Sequence, residues 1–229
     1  MISPETQNCW FVIPAFNEGR VIHDALKPVQ HRGYQIVVVD DCSSDDTRHI
    51  ASAAGAWVCR HAINLGQGAA LQTGIDFALD HGAKVIVTFD SDGQHSLDDA
   101  EAMIEALKNG GFDYVLGSRF LGKTENMPTS RRLLLQAATL YTRLHTGMKL
   151  TDTHNGLRAM TARGARALNL QHNRMAHASE ILDKIAASGL PWREHPCTIT
   201  YTDYSRAKGQ RLSGMFDILL DLYLGRLHK

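Results

Sequence analysis

Two stretches of this chain, YQIVVVD (34–40) and KVIVTFD (84–90), are continuous apolar runs that end on an aspartate. A strand with one wet face alternates polar and apolar residues. A strand apolar throughout needs cover on both faces. That requirement leaves a mostly parallel sheet with helices packed on either side. CWFVIP (9–14), AWVCR (56–60) and DYVLGS (113–118) supply further short strands. Helical segments are expected between them. One opens at Asn17 and Glu18 and reaches about Val29, and another spans about 46–54. GQGAALQTGIDFALDHG (66–82) repeats apolar residues at helical spacing, and LDDAEAMIEALKNGG (97–111) begins acidic and ends on lysine and glycine. Strand and helix in alternation predict an α/β fold with right-handed crossovers.

The second half is less regular. TSRRLLLQAATLYTRLHTG (129–147) reads as a long helix, NGLRAMT (155–161) as a short strand, SEILDKIAASG (179–189) as a helix and REHPCTITY (193–201) as a strand. YSRAKGQRLSG (204–214) is a basic loop, and MFDILLDLYLGRLHK (215–229) an amphipathic terminal helix. No repeat or linker interrupts the 229 residues, so a single domain is expected. Its halves would be 1–119 and 120–229.

Lys and Arg number 24 and Asp and Glu 24, so no overall field draws the chain to nucleic acid. Four cysteines show no C-x-x-C spacing, which fits reduced thiols in the cytosol rather than zinc or redox chemistry. No signal peptide is expected in MISPETQNCW, and no apolar stretch is long enough to span a bilayer.

In an open parallel sheet, ligands bind beyond the carboxyl ends of the strands. Those ends carry the unusual polar residues of this chain. Along an extended segment, Asp90 and Asp92 would point the same way, with Gln94 adding a neutral oxygen. An all-oxygen set suits Mg²⁺ or Mn²⁺ rather than zinc. The competing reading is a turn whose aspartates cap the helix near Ser96. VDDCSSDDT (39–47) packs carboxylates that repel unless donors satisfy them. Asp40 and Asp41 are candidates to hold a nucleoside and Glu18 a ribose hydroxyl, with Glu18 alternatively a first-turn acid. Arg119, Arg158, Arg206, Lys208 and Arg211 could hold phosphate or remain surface charges. NLGQG (64–68) offers backbone N–H groups to phosphate, or is only a tight helix start. Among the scattered histidines, His95 and His154 lie beside candidate site positions.

PAFNE (14–18), VVVDDCSSDDT (37–47), NLGQGAALQTGI (64–75), FDSDGQH (89–95), GSRF (117–120) and DTHNGLRAM (152–160) occur in that order. Together they resemble the family 2 glycosyltransferases of GT-A (Rossmann-like) fold, within them the dolichyl- or polyprenyl-phosphate sugar synthases. The resemblance implies a nucleotide site of Pro14, Glu18, Asp40, Asp41, Gly68, Asp90 and Ser91. It implies a Mg²⁺ or Mn²⁺ ion on Asp90, Asp92 and Gln94. Asp92, Arg119, Asp152 and Arg158 would be the catalytic set. Arg131, Arg206 and Lys208 would meet the acceptor phosphate. After Gly209 the chain departs from the family's usual serine and basic residue, reading Gln210-Arg211-Leu212-Ser213.

The implied activity is inverting transfer from GDP-mannose or a UDP-hexose to a polyprenyl phosphate, at the inner face of the cytoplasmic membrane. Transfer to a surface polysaccharide or lipopolysaccharide is the alternative, and a nucleotide-sugar-binding module without turnover the non-enzymatic one. Membrane contact would come from the helices at 129–147 and 215–228, or from a small membrane-spanning partner.

Overall fold

The computed structural model describes residues 4–125, 127, 129–173 and 176–200. Its elements run α1 (Pro4–Gln7), β1 (Cys9–Ala15), α2 (Ile22–His31), β2 (Gln35–Asp40), α3 (Thr47–Ala53), β3 (Trp57–Arg60), α4 (Gln67–Asp80), β4 (Val85–Thr88), α5 (Leu97–Gly110), β5 (Tyr114–Glu125), α6 (Thr129–Thr146), β6 (Arg158–Thr161), α7 (Ala162–Leu168), α8 (His177–Ser188) and β7 (Trp192–Thr200). One sheet holds all seven strands, in the order β3-β2-β1-β4-β6-β5-β7. Every pairing is parallel except those of β6, which runs antiparallel between β4 and β5. The sheet joins both halves of the chain, and β5 runs across the 119/120 boundary.

β1 is buried at every position. Its side chains alternate between two cores, as the pleat requires. Phe11 and Ile13 face a cluster with Leu26 of α2, Ala51 of α3 and Met103 of α5. Trp10 and Val12 face the opposite cluster with Leu71 and Ile75 of α4 and Ile181 of α8. A methyl group on Gly74 would overlap Val12 and lie 3.1 Å from Val39, so α4 sits close to the sheet only because that position has no side chain.

Helix ends follow local chemistry. Ser96 caps α5 by accepting from Asp99 N at 3.4 Å, and Gly111 closes it in the left-handed conformation at φ 67°. The predicted elements that fall within the described residues are present, with shifted edges. α2 begins at Ile22 rather than Asn17, because Asn17 turns the chain at φ 54° and the Glu18 carbonyl accepts from Val21 N and Ile22 N. β4 stops at Thr88, before Asp90. α1 and α7 are additions, too short to show periodicity.

Candidate active site

The carboxyl ends of β1, β2 and β4 meet at one rim. Asp41 N donates to Ala15 O at 2.9 Å, and Ser91 Oγ donates to Pro14 O at 3.3 Å. Pro14 and Ser91 therefore build the rim's frame. The loops after β1 and β2 are stitched together: Asn17 N donates to Ser43 Oγ and Ser44 N to Asn17 Oδ1, both at 2.9 Å. Asp45 accepts from Gly19 N, Thr47 N and Thr47 Oγ1, and so fastens the loop. Glu18 is buried near Asp92, its N–H donating to Thr47 Oγ1 at 2.8 Å. Asp40 accepts from Ser43 N at 3.0 Å and lies 3.7 Å from Arg60 Nε.

Asp41 is held by internal donors. Its carboxylate accepts from Leu65 N at 2.9 Å, Gly66 N at 2.7 Å and His61 Nδ1 at 2.7 Å. The far nitrogen of His61 then accepts from Thr73 Oγ1 at 3.0 Å. Both oxygens are committed inside the protein, and the backbone groups expected to meet phosphate are held by Asp41. The reason is burial: a carboxylate without water takes the nearest donors. Gly68 is closed in as well. A Cβ there would strike the His172 carbonyl and lie 2.8 Å from His177 Cβ, so its space belongs to the loop before α8.

Asp90 and Asp92 converge by a different route from the one expected. They lie on a turn past the end of β4, closed by Gly93 at φ 74°. The strand pleat does not align them. They do not cap α5 either, since Ser96 does that. Asp90 Oδ2 accepts from His95 Nε2 at 2.9 Å, and its Oδ1 from Gln67 Nε2 at 3.2 Å. Asp92 Oδ1 accepts from Gln94 N at 3.1 Å. Loss of water pushes the Asp92 carboxyl up to about 6, and the charge of Asp90 adds to the push. Desolvation also acts on Asp90, but the His95 hydrogen bond and the charges of His95, Arg158 and His177 outweigh it and hold that carboxyl below its usual value.

Two hard oxygen donors in mutual repulsion suit a hard divalent cation. Mg²⁺ characteristically takes one or two carboxylates and fills its remaining positions with water and substrate oxygens. No set of three His, Cys, Asp or Glu side chains able to hold a metal occurs among the described residues. Any cation held at this turn would have only Asp90, Asp92 and the Gln94 amide from the expected set, with ligand oxygens for the rest.

Across β6 lies the basic side of the site. Asp152 Oδ2 accepts from Arg119 N at 3.0 Å and from Arg119 Nε at 2.6 Å, while the far end of that guanidinium reaches His154 O. The pair is sealed, with side chains 5% and 0% exposed. Asp152 is itself held from behind: Glu194 Oε1 on β7 accepts from Asp152 N at 3.1 Å and Thr151 N at 2.8 Å. Burial first, then the Arg119 charge, pushes His154 down to about 4, so its ring is neutral at pH 7. Arg158 opens β6 opposite Thr88, between this pair and Asp90.

His61, Gln67, His177 and Glu194 escaped sequence reasoning, because the contacts that recruit them join distant segments. His95 carried a signal in its place after the acidic turn. The buried Glu180 carboxylate accepts from Gln171 N and His172 N, each at 2.8 Å, and straps the loop before α8. Arg131 lies on α6, but its side chain is outside the described residues. Arg206, Lys208, Arg211 and the predicted helix at 215–229 also lie outside them.

Comparison with solved structures places the fold first. The chain aligns with glucosyl-3-phosphoglycerate synthase from Mycobacterium tuberculosis, crystallised with Mn²⁺ and uridine-diphosphate-glucose. The TM-score is 0.71 at 19% identity, covering 95% of this chain and 77% of that one. The architecture is the GT-A class. The family follows from the sequence: the model for Glycosyl transferase family 2 matches residues 10–169, and the chain belongs to that family. It is a glycosyltransferase. An uncharacterized protein of Methanocaldococcus jannaschii is 39% identical over 94% of this chain and 91% of its own. The UDP-N-acetylglucosamine–dolichyl-phosphate N-acetylglucosaminyltransferase of Methanococcus voltae is 31% identical over 96% of each. Further curated relatives include polyprenyl- and dolichol-phosphate mannose transferases.

Proposed function

We propose that this chain transfers a sugar, with inversion, from a nucleoside diphosphate to the phosphate of a polyprenyl lipid. The observation that carries this reading is the convergence of the Asp90–Asp92 turn with the Arg119–Asp152 pair at one rim, with Arg158 between them. Its relationship to polyprenyl-phosphate sugar transferases supports the choice of acceptor.

A divalent cation bound by Asp90, Asp92 and Gln94 would offset negative charge growing on the departing diphosphate. His95 and Gln67 fix the Asp90 carboxylate, so little reorganisation is needed as the reaction proceeds. Asp152 fixes the Arg119 guanidinium, and Glu194 fixes the Asp152 backbone. The closed Arg119–Asp152 pair thereby fixes the frame of the basic side of the site. A sugar hydroxyl acceptor needs a general base, whereas a phosphate monoester, with its second pKa about 6, is mostly dianionic at neutral pH. The Glu180 carboxylate, which could otherwise serve as such a base, is spent on the Gln171 and His172 amides. This favours phosphate over hydroxyl.

No helix among the described residues is long and apolar enough to cross a membrane. Membrane contact is assigned to α6. Its inner face buries Leu135 and Ala138, while Leu133, Leu140 and Leu144 are 63%, 58% and 80% exposed on the outer side. Such a helix can rest its outer leucines in the interface plane beside the lipid substrate.

The test is a panel of labelled UDP- and GDP-sugars with Mn²⁺ and a short polyprenyl phosphate. Label moving into the organic phase as a mild-acid-labile product supports the reading. Release of nucleotide only with saccharide acceptors would replace it with the hydroxyl-transfer alternative, and binding without turnover would make the protein a sugar-nucleotide receptor.

A further inference from the structure

β7 is the outermost strand on its side of the sheet, with β5 and β6 standing between it and β4. Its carboxyl end nevertheless reaches the turn beyond β4. Thr200 N donates to Gln94 O at 3.3 Å, and Ile199 pairs with His95 in an antiparallel bridge. The bend that allows this lies in the β5–β7 pairing. That pairing is regular up to Ser118 opposite Pro196, slips, and resumes at Lys123 opposite Thr198. Such a bulge bends its strand and strengthens the local twist. Gly122 sits at the slip, where an added Cβ would overlap the Cys197 backbone, so the two strands lie closer than a side chain there would allow. Beyond the bend, Thr198 N is tied to the Asp99 carboxylate of α5 at 2.7 Å.

Before it bends, the same strand holds the other half of the site. Glu194 Oε1 accepts from Thr151 N at 2.8 Å and Asp152 N at 3.1 Å, and both carboxylate oxygens accept from Thr151 Oγ1 at 3.0 Å. Cys197 Sγ accepts from Asn155 Nδ2 at 3.0 Å. Cys197 and Ile199 are buried in the core beneath α2 and α5, so the bent ribbon is anchored rather than draped over the surface. One strand thus grips the loop that closes Arg119 and, further along, the turn that carries Asp90 and Asp92. These two pieces leave different strands, and both must act on one substrate. A misplacement of roughly 1 Å between groups that act together costs about 100-fold in rate.

We propose that the bent β5–β7 ribbon is the brace that sets the separation between the Asp90 turn and the Arg119–Asp152 pair, with Glu194 and the Thr200 amide as its positioning groups. Both act through the residues they hold. The effect on turnover rests on the sugar-transfer reading, whereas the brace itself is a property of the fold.

The experiment uses the full chain with Glu194→Ala, Glu194→Gln and Thr200→Pro. Proline at 200 removes the N–H given to Gln94 and keeps the preceding residue extended, as a strand end tolerates. Hydrogen exchange without ligand is read in segments 90–96 and 151–156, UDP affinity by calorimetry with Mg²⁺, and kcat from lipid product. Thr200→Pro speeds exchange in 90–96 about tenfold and weakens UDP binding by a similar factor. Glu194→Ala speeds exchange in 151–156 about tenfold or more and lowers kcat about 100-fold, with UDP affinity within about threefold of wild type. Glu194→Gln, whose Oε1 can still accept both amides, restores most of that kcat. If β7 only adds stability, the variants melt earlier while kcat and UDP affinity of the folded protein stay within about twofold, and the inference is wrong. Should Thr200→Pro fail to fold, wild-type exchange decides: an unprotected Thr200 amide overturns the brace. The two proposals fail separately. A wild-type protein that makes no lipid product, with exchange responding as described, sinks the function and keeps the brace. Lipid product from the wild type, with exchange and rates unmoved in the folded variants, does the reverse.

Discussion

Gly156→Ala tests whether the Asp90 carboxylate must stand where His95 and Gln67 hold it. Gly156 is packed against that carboxylate. A Cβ added there lies 2.7 Å from Asp90 Cγ and 2.8 Å from Oδ1, and closer still to Oδ2. Ordinary contact starts at 3.4 Å, so one side must give. The Gly156 backbone is restrained, because its carbonyl accepts from Thr88 Oγ1 at 2.6 Å. The carboxylate is therefore the part that moves, by roughly 1 Å, and a displacement of that size at a reacting centre costs about 100-fold in rate. Its hydrogen bond to His95 breaks as it moves. Overpacking adds about 1–3 kcal/mol of instability, which a thermal melt measures separately. The assay is kcat/KM for lipid product in wild type, Gly156→Ala, Asp90→Asn and the double variant. If the damage runs through Asp90, the double variant is little worse than Asp90→Asn alone. A Gly156→Ala enzyme within about threefold of wild type, with the His95–Asp90 bond intact in its crystal structure, refutes the reasoning.

Other perturbations follow from the same geometry. Asp152→Asn leaves Arg119 sealed without its counter-charge, so stability falls by about 3–5 kcal/mol in a urea titration; a loss under about 1 kcal/mol contradicts the buried pair. His154 is held neutral with its pKa near 4, so the unfolded chain takes up its proton first as pH falls. Its contribution is intact above about pH 6.5 and lost on the way down to 4, by about 3 kcal/mol, and the wild-type-minus-His154→Gln difference in stability against pH measures it. A difference that stays flat across that window removes the argument. Replacing Leu140 and Leu144 by glutamate should abolish co-sedimentation with anionic vesicles at unchanged melting temperature, since both side chains already face outward. Retained binding would move the membrane contact elsewhere.

The sheet was legible because β1 and β2 are apolar at almost every position, which admits only a doubly covered strand. The antiparallel insertion of β6 was not, since RAMT carries no sign of direction. The site was legible as a set of strand ends and less so as a set of roles. Asp90 and Asp92 were visible as an acidic pair, but the turn that brings them together depends on Gly93 and on His95 folding back. Asp41 stands out in the sequence as a strand-end carboxylate, and Gly68 through the glycine-bearing turn and the family resemblance. In the fold the Asp41 carboxylate takes the Leu65 and Gly66 amides, and Gly68 leaves room for the His172 carbonyl. Glu194 sits on β7 in a stretch of ordinary strand character, and only the return of residues 151 and 152 to its carboxylate gives it a role.

The central claim is that Asp90, Asp92 and Gln94 grip a divalent ion against the diphosphate of a sugar nucleotide. A crystal soaked with Mg²⁺ and UDP tests it most directly. The account predicts one ion at the turn beyond β4, with oxygens of these side chains and of the diphosphate about 2.1 Å away. A well-ordered diphosphate whose ion sits elsewhere, with those three side chains bare, contradicts it.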